Sequence, residues 1–318
     1  MLLLDRPGIT GGNLVEALGE IGEPTGGRVD VDVGHDSDRI GRVCGYSDRV
    51  NTPTRRPLDR HALWSLLSEK SDFWTSIDVV QVTGSTNADL ARAARNGAGE
   101  GTVLIAEEQT RGRGRLDRQW SCPPHAGLMM SFLLRPSAPR ERWGTLSLAT
   151  GVALEETLRA TAGVSAKLKW PNDVLIDGKK VCGILAAVEN GAVIVGMGLN
   201  VSLTEAELPV PEATSLALAG AEEVPREQLA ADFLAHFAAV YRAWDADGPA
   251  GVIERWRRHS ATLGRHVEVS YPNGDKLTGR AVDIAADGRL AVAHLDDAGA
   301  ETVSHIAAGD IVHLRPRA

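Results

Sequence analysis

The sequence has few cysteines, no long apolar run and no excess of positive charge. Its 318 residues include three cysteines (Cys44, Cys122 and Cys182) without a CxxC pair, which argues against a disulfide scaffold or a zinc site and fits a reducing cytoplasm. No apolar run approaches the ~18–20 residues of a membrane span, and the N-terminus lacks the basic start of a signal peptide. The net charge of -8 excludes a protein whose whole surface coats nucleic acid, although a local basic patch remains compatible with it.

Residues 1–56 lack lysine, phenylalanine and tryptophan, and ten of them are glycines. Such a segment buries too little apolar surface to offset an ordering cost of about 1–2 kcal/mol per residue. We therefore expect a mostly disordered extension or a wrongly assigned start site, with one short helical period at residues 14–21. A DNA-reading module would need helix–turn–helix periodicity and a basic recognition helix, and the sequence has neither.

From Pro57 onward the chain shows regular periodicity. Helical spacing predicts helices at 61–70, 86–97, 143–160 and from Pro225 onward. The helix at 86–97 begins with a Thr86–Asp89 capping box, and the helix at 143–160 is predicted to be amphipathic. Short strands are predicted between them at 79–82, 102–106, 129–134, 166–170, 174–176, 181–188 and 192–201, with a hairpin turn at Asp177–Gly178.

After about Thr262 the apolar period changes to two. Five short strands in about 55 residues, with Asn273–Gly274 and Asp287–Gly288 at turns, predict a small barrel of the SH3 type. The predicted organisation is thus an extension at 1–56, a main domain at 57–262 and the small barrel at 263–318.

Four arginines lie within eight residues of a glycine-interrupted loop: Arg111, Arg113, Arg115 and Arg118. Glycine lets the backbone approach a ligand closely, and guanidinium groups bind carboxylate or phosphate in bidentate fashion. The loop therefore suits a substrate with more than one anionic group. An Arg–Gly contact with RNA and a solvated charged loop are the alternatives.

Three further motifs carry polar or glycine residues at strand ends. In KWPND at 169–173, Lys169 suits a phosphate or a leaving group, but its strand could equally present a solvated lysine face. Gly183 marks a bulge or a ligand near the backbone, while Cys182 is best interpreted as a small buried apolar residue. GMGLN at 196–200 lacks the third glycine of a dinucleotide fingerprint, and its glycines again allow close backbone approach.

The order and spacing of these motifs resemble the biotin protein ligase family, of the type without a DNA-binding domain. The resemblance covers the chain from about Pro57 to the C-terminus and rests on five ordered elements: GSTN at 84–87, the loop at 109–120, KWPND at 169–173, the stretch 180–185 and GxGxN at 196–200. It implies an α+β fold, with a mixed central sheet and flanking helices like those of lipoate ligases and class II aminoacyl-tRNA synthetases, followed by the small barrel.

The resemblance also implies site residues. Ser85, Thr86 and Gln109 would surround the biotin ureido ring, while Gly112 and Arg113 would contact biotin, with Arg113 near its polar end. The catalytic group would comprise Lys169, Arg115 and Arg118, which also bind nucleotide and meet the reacting carboxylate and phosphate. Trp120 would cover the ligand, the backbone at Gly183, Ile184 and Leu185 would wall the biotin pocket, and the nucleotide would also be held by Asn172 and Asn200.

The implied reaction joins two anions, so its catalysis is mainly charge neutralisation and alignment. Biotin and ATP with Mg²⁺ would be the substrates, biotinyl-5′-AMP the intermediate, and a lysine of a biotin carboxyl carrier domain the acceptor, all in the cytoplasm with no DNA or membrane partner. A lipoate or octanoate ligase is the alternative enzyme, and a nonenzymatic RNA-binding protein using the Arg–Gly loop is the alternative of another class.

The loop departs from many relatives at Arg111 and at Leu116–Asp117. Asp117 adds a negative charge to an anion-binding loop and is expected to oppose binding of the adenylate unless Arg111 compensates for it. Asp117→Gly is accordingly expected to slow the loss of the intermediate.

Overall fold

The computed structural model describes residues 55–115, 118–221, 224–271, 274–296, 298–307 and 309–314. The extension predicted at 1–56 lies outside the described residues, apart from Arg55 and Arg56. Its predicted helix at 14–21, the Leu116–Asp117 pair and Asn273 of the predicted turn lie outside them too.

A mixed seven-stranded sheet forms the centre of the molecule. In chain order its strands are β1 Ser76–Thr83, β2 Thr102–Gln109, β3 Gly127–Leu134, β4 Lys167–Lys169, β5 Asp173–Ile176, β6 Lys179–Glu189 and β7 Ala192–Asn200. They lie side by side in the order β1-β2-β3-β7-β6-β5-β4. Only the β1–β2 pair is parallel, which confirms the expected mixed sheet.

Five helices cover the two faces of this sheet unequally. They are α1 Arg60–Ser68, α2 Thr86–Arg95, α3 Leu146–Thr161, α4 Arg226–Asp247 and α5 Ala250–Arg258. The first and the last three build the main core on one face, with Phe132, Phe233 and Phe237 at its centre. On the other face α2 packs alone through Leu90, Ala93 and Ala94, which leaves part of that face open for a site.

The third helix differs from its prediction. It begins at Leu146 rather than at Trp143, which lies in a short 3₁₀ turn at Arg140–Thr145. Its residues are buried along most of its circumference, so the amphipathic assignment was wrong. The cause is tertiary packing, because the helix is enclosed by the sheet, α4 and α5.

The predicted capping box at the start of α2 was also wrong. Ser85 is the N-cap residue and makes no side-chain capping bond. The Gln109 amide oxygen, at the end of β2, instead accepts hydrogen bonds from the Thr86 amide at 2.9 Å and the Thr86 hydroxyl at 3.1 Å. Asp89 bonds to Thr83 and Arg92 rather than to the helix start. A partner from a neighbouring strand thus performs the local capping role.

The C-terminal strands form a second, antiparallel sheet. They are β8 His266–Ser270, β9 Lys276–Ile284, β10 Leu290–Leu295, β11 Glu301–Ile306 and β12 Asp310–His313, ordered β11-β10-β9-β8-β12. The five predicted strands are confirmed, and Asp177–Gly178 makes the predicted β5–β6 turn with positive φ at both residues. Within the described ranges, no helix is both long and apolar enough to cross a membrane.

Candidate functional site

Two glycines from adjacent strands form the floor of a groove on the α2 side of the sheet. Gly183 of β6 pairs with Gly198 of β7. The Trp120 indole lies directly on them, since a methyl group built on Gly198 would come within 2.6 Å of the indole nitrogen and one on Gly183 within 3.3 Å of the ring. The absence of side chains at these positions therefore creates the space for a flat group against the backbone.

A buried chain of polar side chains supports one end of this groove. From Gln109 it continues through Thr86 to Ser131 of β3, whose hydroxyl lies 2.7 Å from the Thr86 hydroxyl and 2.6 Å from the Asn87 amide oxygen. The Asn87 amide nitrogen donates to the Leu185 carbonyl at 3.0 Å. These contacts fix the start of α2 against three strands, so the polar groups predicted around a ureido ring are held in place.

The Arg–Gly loop folds as a small hairpin over the groove. The Trp120 amide donates to the Gly112 carbonyl at 2.9 Å, and the Gly114 amide donates to the Arg118 carbonyl at 2.7 Å. Gly112 is buried, and a methyl group there would come within 3.2 Å of the Gln109 amide nitrogen. This close approach explains why the loop needs glycine at that position.

Two loop arginines reach the C-terminal sheet. Arg115 donates to the Gly309 carbonyl at 3.3 Å and approaches the Asn172 amide oxygen at 3.5 Å. The Arg118 side chain forms an ion pair with Asp310 at the start of β12, although much of it stays exposed. The loop is therefore held between the groove and β12.

Lys169 ends β4 at the groove and has no hydrogen bond or ion pair among the described residues. Burial lowers the pKa of its ammonium, with contributions from Lys180 and Arg118, while Asp173 acts in the opposite direction. Burial and the charge of Lys169 lower the pKa of the neighbouring His313 to about 4. An unpaired, half-buried cation of this kind is suited to bind an anionic ligand.

Other predicted site residues have different surroundings. Arg113 is exposed, and the Ile184 side chain is buried in the main core, so only its backbone faces the KWPND turn. Asn172 donates to the Ile184 carbonyl at 2.6 Å. Asn200 is buried and donates to the Thr214 carbonyl at 2.9 Å, which ties down the segment after β7. Direct nucleotide contacts by the two asparagines stay predictions.

Sequence reasoning missed two charged residues in the site. The Lys180 ammonium lies 2.6 Å from an Asp173 carboxylate oxygen and 5.9 Å from the centre of a Trp120 ring. Both residues belong to recognised motifs, but the strand pattern alone does not show which face Lys180 occupies. Nothing in the pattern signalled Ser131, which is a fully buried polar residue.

The two described cysteines, Cys122 and Cys182, are buried and unpaired. Burial raises the pKa of the Cys122 thiol to about 12, and that of the Cys182 thiol rises for the same reason. The prediction that Cys182 is a buried apolar residue is thus confirmed. No group of three His, Cys, Asp or Glu residues in the described ranges could hold a metal ion.

Comparison with known proteins gives consistent matches over both sheets. Residues 79–203 match the biotin/lipoate A/B protein ligase family, and residues 262–314 match the biotin protein ligase C-terminal domain. The biotin--[acetyl-CoA-carboxylase] ligase of Mycobacterium tuberculosis is 41% identical over 266 residues, which are 82% of this chain and 97% of that protein.

Two solved structures have a similar fold. The biotin protein ligase from Aquifex aeolicus in complex with biotin and ATP aligns with a TM-score of 0.65 and 27% identity, over 76% of this chain and 100% of that one. The biotin protein ligase from Leishmania major in complex with biotinyl-5-AMP aligns with a TM-score of 0.53 and 25% identity, over 73% of this chain and 99% of that one.

Proposed function

Because the chain belongs to the biotin protein ligase family, we propose that the groove described above carries out ATP-dependent attachment of biotin to a protein lysine. The observation that carries the proposal is the Lys169 ammonium, which is half-buried and without a hydrogen bond or ion pair among the described residues, and on which the charges of Asp173, Lys180 and Arg118 act. A groove with a flat apolar floor and a cationic end matches a ligand that has a ring at one end and a carboxylate at the other.

In the first step, a biotin carboxylate oxygen attacks the α-phosphorus of ATP. An O–P bond forms, the bond from this phosphorus to the bridging oxygen breaks, and pyrophosphate leaves with the electron pair. Lys169 and Arg115 would neutralise the two anions as they approach, which is the main barrier to this reaction. Arg118 would join them once phosphate replaces Asp310 as its partner.

In the second step, the amine of an acceptor lysine attacks the acyl carbon of biotinyl-5′-AMP. A C–N bond forms, the C–O bond to AMP breaks, and the amine loses a proton to solvent. Lys169 would stabilise the departing phosphate. The acceptor that we propose is the biotin carboxyl carrier domain of an acetyl-CoA carboxylase, in keeping with the name of the mycobacterial relative.

Mg²⁺ is proposed as part of the ATP substrate rather than as a resident metal. The described residues offer no group of three metal-ligating side chains, so the phosphates of ATP would carry the ion into the site. The ion would supply additional charge neutralisation at these phosphates. We also propose a cytoplasmic location, which the need for ATP and the two unpaired described cysteines support.

Two alternatives make different predictions. A lipoate or octanoate ligase would share the first family match, but residues 262–314 match a domain typical of biotin ligases. An RNA-binding protein using the Arg–Gly loop would bind RNA with steep salt dependence and no response to biotin. Two of the four loop arginines, Arg115 and Arg118, are engaged with Gly309 and Asp310 of the C-terminal sheet, which disfavours this alternative.

The test combines the protein with ATP, Mg²⁺ and a purified carrier domain, with either biotin or lipoate. We expect a mass gain of one biotin on the carrier with biotin alone. Lys169→Ala should slow adenylate formation by about 100-fold or more, the effect of removing one group that stabilises transition-state charge. Lys167→Ala, an exposed lysine on the same strand, is the matched control. Transfer of lipoate, or full activity of Lys169→Ala, would contradict the proposal.

A further inference from the structure

Strand β4 lies at the edge of the central sheet, and the segment 259–262 holds its outer side. This segment joins α5 to the C-terminal sheet. Leu168 exchanges two backbone hydrogen bonds with it, each 2.8 Å long. Two residues further on, the Trp170 amide donates to the Thr262 hydroxyl at 3.1 Å. Lys169 therefore lies between two residues whose backbones are anchored from outside the central sheet.

The Thr262 hydroxyl has a second partner, which belongs to the C-terminal sheet. Thr262 is fully buried, and its hydroxyl oxygen lies 3.3 Å from Nε2 of His313 at the end of β12. A hydroxyl group has a single proton, and this one already accepts from the Trp170 amide, so its proton is available to His313. A hydrogen-bonded chain thus runs from β12 to the residue that follows Lys169.

The His313 ring can accept this proton only while it is neutral. A neutral imidazole with its proton on Nδ1 offers Nε2 as an acceptor, whereas an imidazolium donates from both nitrogens. Burial lowers the pKa of His313 to about 4, and the positive charges of Lys169 and Arg265 act in the same direction. His313 is therefore a neutral acceptor around pH 7.

Strand β12 also contacts the Arg–Gly loop. Asp310 at its start forms the ion pair with Arg118, and His313 at its end pairs with Val267 of β8. The two ends of one short strand thus meet the two cationic segments of the proposed site, the loop and the turn after Lys169. The C-terminal sheet is consequently placed to set the relative position of these segments.

We propose that Thr262 and His313 are positioning residues for Lys169. The imidazole orients the Thr262 hydroxyl, and the hydroxyl holds the Trp170 amide. The backbone that carries Lys169 is thereby fixed, and its ammonium is directed toward the reacting groups. The inference rests on the proposed function and gives the C-terminal sheet a part in the first chemical step. The competing explanation is a buried hydrogen bond that stabilises the junction and nothing more.

The experiment measures the single-turnover rate of adenylate formation at saturating ATP and biotin, and the Kd of biotin by calorimetry. Thr262→Val keeps the shape of the side chain but leaves the Trp170 amide without its acceptor. We expect the rate to fall by about tenfold or more, because small displacements of a reacting group cost large factors in rate. The Kd of biotin should change less than about threefold, and Thr262→Ser should recover most of the rate.

A double-mutant cycle tests whether the effect passes through Lys169. In a Lys169→Met background the positioned group is absent, so Thr262→Val should slow adenylate formation further by less than about twofold. An equal loss in both backgrounds would mean that Thr262 acts independently of Lys169, and the inference would be wrong.

Variants of His313 test the other end of the chain. His313→Gln keeps an acceptor and should retain the rate within about threefold, whereas His313→Leu removes the acceptor and should lose about as much as Thr262→Val. His313 is less buried than Thr262, so His313→Leu decides the question even if Thr262→Val does not fold. His266→Leu and Thr278→Val, at exposed positions of the same sheet, are the controls and should keep the wild-type rate.

A role limited to stability predicts a different outcome. Lower melting temperatures with an unchanged rate in Thr262→Val and His313→Leu would overturn the inference. Thermal unfolding of each variant also checks that the rates are measured on folded protein. Failure of the wild-type protein to form biotinyl-5′-AMP would instead overturn the proposed function, which separates the two cases.

Discussion

The Trp120 indole rests on two glycines, and its ring nitrogen has no hydrogen-bond partner in the described part of the chain. A buried indole N–H usually has a partner, so its absence suggests a side chain that shifts when a ligand enters. Trp120, which is predicted to cover the ligand, is therefore in direct contact with Gly183 and Gly198, the two glycines of the groove floor.

Gly198→Ala tests the need for a bare floor. The added methyl group would come within 2.6 Å of the indole nitrogen, so we expect Trp120 to be displaced into the groove and biotin to bind about tenfold more weakly, with a loss of about 1–3 kcal/mol in stability. Calorimetry and tryptophan fluorescence measure these effects. Gly99→Ala is the control, since a methyl group there meets no atom within 4 Å. Wild-type affinity in Gly198→Ala would show that the floor tolerates a side chain.

The difference between Lys169 and Lys180 shows what sequence can predict at this scale. The face of β4 that Lys169 occupies follows from simple strand alternation, and the sequence KWPND shows that a proline-containing turn follows it. Lys180 depends on one extra residue in β6, whose presence is visible only in the pairing with β5. Partners distant in sequence, such as Gly309 for Arg115, are likewise outside the reach of local patterns.

Most helices and strands were predictable because their apolar periods match the faces that they bury. The five C-terminal strands and the β5–β6 hairpin follow from alternation and Asp–Gly turn chemistry. The capping error at the start of α2 and the amphipathic assignment of α3 have one physical origin, which is tertiary contact. At the start of α2, Gln109 accepts the hydrogen bond that a local capping residue would otherwise accept. In α3, neighbouring helices bury a face that the local pattern assigned to solvent.

The segment before α1 is tied to the short 3₁₀ turn at Glu205–Glu207 by an ion pair. Arg55 donates to both Glu207 carboxylate oxygens at 2.9 and 2.7 Å. This contact is the main cause that lowers the pKa of Glu207 from 4.5 to about 2, with further hydrogen bonds from Thr204. A carboxyl group with a depressed pKa stabilises the folded state at neutral pH and loses that contribution in acid.

Glu207→Gln is therefore expected to lower the free energy of unfolding by roughly 1 kcal/mol at pH 7, after allowance for solvent screening. The difference from wild type should shrink as the pH falls from about 4.5, the unfolded value, and vanish below about 2, the folded value. Urea denaturation across this range measures it. Glu205→Gln, an exposed acid in the same turn, serves as control; an equal effect of both variants would contradict the assignment.

Contacts between the two sheets meet at the Arg–Gly loop. Arg115 and Arg118 reach Gly309 and Asp310, and the Trp170 indole donates to the Gly288 carbonyl at 2.9 Å beside the KWPND turn. A cleft of about 200 Å³ lies between the sheets and is lined by residues that include Arg115, Asn172 and Asp287. The C-terminal sheet thus influences the charge of the loop that we propose to bind the nucleotide.

Asp310→Asn probes this influence. The amide can still accept a hydrogen bond from Arg118, while a negative charge near the proposed phosphate site is removed. We expect the KM for ATP to fall by about two- to fivefold, with little change in Tm because exposed ion pairs contribute little stability. Steady-state adenylation kinetics provide the measurement. Glu301→Gln removes one exposed charge from the same sheet and should leave the KM unchanged; a raised KM in Asp310→Asn would mean that Asp310 assists ATP binding.

Strand β6 contains one extra residue, Val181, because Val174 pairs with Cys182 whereas Leu175 pairs with Lys180. After Val181, the even-numbered residues Cys182 and Ile184 face the main core. Before Val181, the even-numbered Lys180 faces the groove instead. Substitutions at position 180 can therefore change the chemistry of the groove without disturbing the packed interior. Deletion of Val181 would restore regular alternation, in which Lys180 directly precedes Cys182 and still lies on the opposite face, so the deletion would remove one buried valine without turning the ammonium into the core.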